Sequence, residues 1–326
     1  MDRSSRLRAA LAAATLTIGF AMGASAEDAW KMPTASPAGG ALADNVAKYV
    51  QDVQAFSGGK VRVALAPPGA SAQTLAGLAR GQVPIAEIEL AASAGEHPLL
   101  GIDGLPFLVS GYVKAEKLWR VSRPAVERIV ASGGYRILFA VPAPPEGLFS
   151  RQPVPVPSAL RGRRLGVADA AGERLAALLG ATAVRIGPGD LTRAFADGAV
   201  DAALASPPAV ISAALARAAP HFYRIEARMP KRAVVVSSRA LAGLERGAQM
   251  ALVESAKRAE QRGWRASREQ AAAVVEALTA AGVNVHEPEP QFIREMHDLA
   301  RRLVLELTER GGEEAIAIVD AYFRPE

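Results

Sequence analysis

The 326-residue chain contains no cysteine, which excludes disulfides, thiolate metal sites and a cysteine nucleophile. Histidine is nearly as scarce. Its four members, His97, His221, His286 and His297, stand at no metal-ligand spacing such as HExxH and read as surface or loop-edge residues. Ala91-Ala-Ser93-Ala-Gly95 lacks the first glycine of a nucleophile elbow. Gly187-Pro-Gly189 lacks the later glycine, lysine and hydroxyl residue that would cradle phosphates. With no nucleophile–base pair, no metal set and no cofactor motif, the expectation is a protein that is not an enzyme and carries no cofactor. Blocks of like charge are missing too. The main basic cluster, Arg161, Arg163 and Arg164, has no aromatic neighbours for base stacking. Elsewhere basic residues interleave with acids, as in Lys257–Glu269. A pI near 9.7 therefore reads as a solvated surface rather than a nucleic-acid partner.

What is present is an ordinary globular balance, 50% apolar and 22% charged, on a chain long enough for two domains with cores of their own. Arg3, Arg6 and Arg8 precede an apolar run from Ala9 to Gly23, and Ala24-Ser25-Ala26 closes it. A basic start, an apolar centre and an A-x-A end are the parts of a secretory signal peptide, so residues 1–26 are expected to be removed after Ala26 and the mature protein to be periplasmic. The loss takes three arginines and Asp2, lowering the formal charge from +5 to +3. No cysteine follows to carry a lipid anchor.

Periodicity then lays out the elements. A short strand at 29–32 is followed by a helix over Ala41–Phe56 and the Ser57-Gly58-Gly59-Lys60 stop. A strand at 61–66, a helix at 74–80 and a strand at 83–90 come next. A helix at 115–132 and a strand at 135–141 lead into a proline-rich interval, where a first crossing between halves falls near Pro144; prolines do not sit inside central strands. Extended runs at 146–151, 160–167 and 199–205 alternate with helices, and Pro230 marks a second crossing before a strand at 233–237. Near-continuous helix from Leu241 to Ala281 either spans both halves or bends at Gly263. A short strand at 283–286 and a helix at 290–309 follow.

Four stretches carry a family resemblance: LRGRRLGV at 160–167, DLTRAFADGAVDAALASP at 190–207, the helix–GGK–strand–helix–G–strand series of the first half, and IDGLPFL at 102–108. Together they resemble the extracytoplasmic solute receptors of TRAP (tripartite ATP-independent periplasmic) transporters, the DctP-like family. The resemblance implies an α/β fold, a two-lobed periplasmic binding protein of type II-like topology with a long lobe-spanning helix. Lobe I is expected to comprise 27–144 plus 232–270, and lobe II 145–231 plus 271–326. It also implies a carboxylate-clamping arginine, at a position that matches Gly166 here. A second basic position falls on Glu146, a polar amide position on Asp169, and an acidic position of lobe I on Glu89. Polar residues expected after Asp201 are replaced by Ala202–Ala205, with Ser206 as a partial substitute; Asp201 itself reads as a turn-fixing residue.

On that matching the ligand-binding residues are Glu89, Glu146, Arg164, Gly166, Asp169 and Ser206, with three carboxylates and no matched arginine. Unneutralised buried carboxylates are costly, so a cationic solute is one outcome. Arg164, two residues before Gly166 and on the same strand face, is another, restoring an anion clamp; an uncharged polar solute is the third. The implied function is a monomeric periplasmic receptor that closes two lobes around a small polar organic solute and delivers it to TRAP membrane permease subunits. The alternative is a sensing subunit that docks on a signalling receptor.

Overall fold

A computed structural model of the chain describes residues 29–36, 39–67, 74–187 and 189–325; the expected signal peptide lies outside them. Three sheets organise the molecule. In the first half β1 (Trp30–Pro33) pairs in parallel with β2 (Val63–Ala66). Beside them β10 (Lys231–Ser237) lies between β3 (Ile85–Glu89) and β4 (Tyr135–Pro142), antiparallel to both. The alternation of β10 decides where its side chains go. Val234 and Val236 join Met32, Tyr49 and Phe139 in a core under α1 (Ala41–Phe56) and α8 (Arg246–Ala280). Ala233 and Val235 face Ile88, Val126 and Trp119 beneath α3 (Tyr112–Ser132), as a period of two requires.

The second half is a six-stranded mixed sheet in the order β11-β9-β5-β8-β6-β7. Its strands are β5 (Gly147–Ser150), β6 (Arg164–Val167), β7 (Thr182–Arg185), β8 (Ala202–Ala205), β9 (His221–Tyr223) and β11 (Asn284–His286). One face packs Phe149, Phe195, Phe222 and Leu278 into a core of its own. The other face contributes Leu148, Leu165 and Val167 to a larger cluster that continues into the first half through Leu99, Ile102 and Leu118. The halves therefore have private cores and also share one.

The C-terminal helix α9 (Pro290–Phe323) holds that shared core together, with Phe292, Met296, Leu303 and Leu307 buried in it. It packs on α3 and on the turn Pro98–Gly104 as well as on α4 (Ala170–Leu178). The sequence predicts a helix ending near 309. Gly312, at φ 64°, kinks it there, and it resumes because Ala315, Ile318 and Tyr322 bury on one face. The break at the other long helix also differs from expectation. Gly243 ends a short α7 (Ser238–Ala242), and α8 starts only at Arg246.

Through Gly263 α8 runs without a break for 35 residues, about 52 Å at 1.5 Å per residue. The glycine is there for closeness rather than bending. A Cβ on Gly263 would lie 2.5 Å from Val141 Cγ2 and 2.6 Å from Asn45 Nδ2, so the helix backbone rests directly on β4 and α1. Besides α8, which runs on to β11 of the second sheet, two extended crossings join the halves, one after β4 and one before β10. They are hydrogen-bonded to each other, Ala143 N to Pro230 O at 2.9 Å and Glu146 N to Arg228 O at 3.0 Å. No helix among the described residues is long and apolar enough to cross a membrane.

Candidate functional site

A cavity of about 390 Å³ opens between the halves beside the crossings. Its walls come from α1, from the carboxyl end of β3, from the crossing itself, and from the loops after β6, β7 and β8, as expected for ligands held at strand ends. The lining is mostly apolar, with Leu42, Ile186, Leu204 and Pro207 among its walls. Few polar side chains reach it, and these decide what it can hold.

Arg232 is the cation of this wall. It stands directly opposite Glu89 in the β10–β3 register, so the two side chains emerge side by side at the rim of the sheet. Its Nη1 donates to Ser36 Oγ at 3.2 Å, and its Nε approaches Glu89 Oε2 only to 3.9 Å. That is beyond hydrogen-bond reach, and Nε is buried with no hydrogen-bond partner among the described residues. Ser36 is itself pinned: its Oγ donates to Glu87 Oε1 at 2.7 Å, and its N–H donates to Glu87 Oε2 at 2.8 Å. Burial pushes the Glu89 carboxyl above the usual glutamate range, against the pull of Arg232 and Arg228.

Beneath the cavity lies a second, closed ionic cluster. Arg228, 2% exposed, donates from Nε to Glu146 Oε2 at 2.7 Å, from Nη1 to Asp169 Oδ2 and to Gly104 O at 3.3 Å. Desolvation weakens its charge, but Glu146, Asp169 and Glu89 together outweigh this and hold the guanidinium well above its ordinary pKa. Glu146 is raised by burial and drawn back by Arg228. Asp169 Oδ1 also accepts from Gly172 N at 3.0 Å, capping α4.

These positions sort the residues singled out in the sequence. Glu89, Glu146 and Ser206 line the cavity; Ser206 Oγ donates to Pro144 O at 2.6 Å, fastening its loop to the crossing. Asp169 sits behind the wall, committed to Arg228 and its helix. Gly166 lies in β6 with its Cβ direction toward Ala203, Ile186 and Val200 at 3.0–3.2 Å, where only a hydrogen fits without displacement. Arg164 is at the wrong end of the strand. The cavity meets β6 near Ala168, four residues on and about 13 Å away at strand rise. Arg164 is exposed instead and pairs with Asp201, Nε to Oδ2 at 3.0 Å and Nη2 to Oδ1 at 2.6 Å. Asp201, held at a pKa of about 2 by that hydrogen bond, ties the start of β6 to the start of β8 through Arg164 rather than capping a helix or fixing a local turn.

The expectation of carboxylates without an arginine is corrected. Arg228 and Arg232 supply the positive charge, from the second crossing and the strand it enters. Both fall outside the matched motif. The sequence signal for them was weak but present: Arg228 and the Lys231-Arg232 pair flank Pro230, just ahead of the apolar run at 233–236.

The comparisons with known proteins agree with this geometry. The family model described as bacterial extracellular solute-binding protein, family 7, matches residues 33–310. No curated protein sequence matches. Among solved structures, the chain is similar to the Bordetella pertussis extracytoplasmic solute receptor DctP6, which binds pyroglutamic acid. The two are 29% identical with a TM-score of 0.83, over 90% of this chain and 98% of that one. DctP7 of the same organism, also binding pyroglutamic acid, is 26% identical with a TM-score of 0.84, over 91% and 99% of the two chains. A TRAP periplasmic receptor from Roseobacter denitrificans with bound β-D-glucuronate shares the fold, at 16% identity and a TM-score of 0.82 over 92% and 100% of the two chains. These relatives are receptors rather than enzymes, with a two-lobed periplasmic binding protein fold. The chain belongs to the DctP family of TRAP-transporter solute receptors, periplasmic proteins that bind small organic solutes for TRAP membrane components.

Proposed function

We propose that this receptor captures a small organic carboxylate and that Arg232 is its clamp. The observation that carries the reading is the Arg232 Nε: buried, without a hydrogen-bond partner among the described residues, on a guanidinium already oriented by Ser36 at the cavity wall. A planar guanidinium matches the two oxygens of a carboxylate, and a buried donor left unmatched is costly. The cavity, about 390 Å³, suits a compact acid. The pyroglutamic acid of the two Bordetella receptors is of that size and charge. Glu89, Glu146, Thr192, Ser206 and Gln270 add to the polar lining, while Gly166, Asp169 and Arg164 act through packing, capping and the surface.

Lobe I at 27–144 plus 232–270 and lobe II at 145–231 plus 271–326 close on the solute by bending at the two hydrogen-bonded crossings. Secretion with cleavage after Ala26 yields a monomer in the periplasm. Calorimetric titration of the mature protein with small carboxylates and with small amines tests the ligand reading. Binding of carboxylates that weakens by about tenfold or more in Arg232→Gln supports it; binding of amines, or carboxylate binding indifferent to Arg232→Gln, overturns it.

A further inference from the structure

Glu89 differs from every other carboxylate around the cavity in being uncommitted. Glu87, two residues earlier on the same face of β3, accepts from Ala35 N, Ser36 N and Ser36 Oγ. Glu146 spends an oxygen on Arg228, and Asp169 spends both of its oxygens, one on Arg228 and one on the α4 cap. Glu89 accepts no hydrogen bond from any described residue, although it lines the cavity and its side chain is only 20% exposed. Its one ion-pair partner among the described residues is Arg232 at 3.9 Å, close enough to attract and too far to bond. When a solute fills the cavity and displaces water, a carboxyl in this position must receive a donor from that solute or remain unsatisfied.

The geometry is that of a pair. Arg232 and Glu89 stand opposite each other in register, one offering donors and the other acceptors, a few ångströms apart on a rigid sheet rather than on loops. A plain carboxylate satisfies Arg232 and adds a like charge beside Glu89. An acid that also carries an N–H close to its carboxyl group satisfies both. Building on the carboxylate reading above, we propose that Glu89 accepts a hydrogen bond from an N–H of the bound acid, so that this receptor selects N–H-bearing acids of amide or lactam type over isosteric acids that lack the donor. A site that hydrogen-bonds a substrate group rejects the analogue without it strongly, because its own polar atom is then left unpaired.

The test compares two probes of one shape, 5-oxopyrrolidine-2-carboxylate and 5-oxotetrahydrofuran-2-carboxylate of the same configuration, in which a ring oxygen replaces the N–H. Titrated into the mature wild-type protein, the lactam is expected to bind at least about 30-fold more tightly than the lactone. In Glu89→Met that ratio is expected to fall to within about threefold while both acids still bind; Glu89→Gln, whose amide oxygen still accepts, retains part of it. Equal affinity for the two probes in the wild type, or an unchanged ratio in Glu89→Met, overturns the role of Glu89 alone. Failure of every carboxylate to bind wild type with an intact melting transition overturns the carboxylate reading as well, so the two failures are distinguishable. The wild-type comparison requires no variant to fold.

Discussion

At the scale of single residues the molecule keeps two kinds of buried charge, and they behave differently under mutation. Arg228 is surrounded by its partners, so removing it strands Glu146 and Asp169 in a dry cluster. Arg228→Met is expected to cost about 3–5 kcal/mol, the range for breaking a buried pair by deleting one side, seen as a large fall in Tm. Arg232 has an open donor instead. Arg232→Gln should leave the fold close to wild type and weaken carboxylate binding by about 1.5–3 kcal/mol, the worth of a hydrogen bond to a charged group, read by calorimetry. Glu89 gives a pH signature. Burial raises its folded pKa above the unfolded value, so the folded state holds the proton more tightly and stability is lost as pH rises between the two. Arg232, Arg228, Asp169 and Asp103 face it and set how wide that window is. Glu89→Gln removes the titration. Its Tm in the ligand-free protein should exceed that of wild type at neutral pH, and the gap should shrink as pH falls toward the ordinary carboxylate value of about 4.3. A gap that widens on acidification would contradict the assignment.

At the scale of elements, close approach and propensity pull in opposite directions. Alanine is about 1 kcal/mol better than glycine inside a helix, yet Gly263→Ala is expected to lower stability by about 1–3 kcal/mol, the cost of overpacking. Its Cβ would meet Val141 and Asn45 at 2.5 and 2.6 Å. A rise in Tm would show that helix propensity, and not the contact with β4, governs this position. The end of α9 makes a complementary case. Beyond the Gly312 kink, Tyr322 donates to Leu108 O at 2.9 Å and Ala315 and Ile318 enter the shared core. Removing residues 312–326 should therefore destabilise the whole protein, with a lower and broader melting transition, although the family match ends at 310.

At the scale of the whole molecule, the shared core matters as much as the private ones. On the proposed closure the two halves bend about hydrogen-bonded crossings, and because α9 lies against both, closing would repack an interface rather than swing free lobes. A cognate acid should reduce the radius of gyration in solution scattering. It should also raise stability by about 2.7 kcal/mol at a hundredfold excess over its Kd. Unchanged dimensions with a bound acid would mean that capture occurs in an already closed form.

Local pattern was enough for most of the architecture. The apolar spacing of Ala41–Phe56, the Pro230 crossing and the continuous apolar run of β10 all specify their elements from neighbouring residues alone, and the order of weak motifs specified the family. The short β9 and α6 (Ala213–Ala218) were not legible, because three to six residues carry too little periodicity to stand out. The site was half legible. Glu89, Glu146 and Ser206 are at the cavity, but matching along one strand could not reveal that the arginine lining it comes from another. Charge balance in a buried site is a sum over residues far apart in the chain: Arg232 meets Glu89 only through the antiparallel register of β10 on β3, and Arg228 meets Asp169 only where the second crossing passes α4. Sequence determined which elements form; the packing of those elements decided which charges face one another.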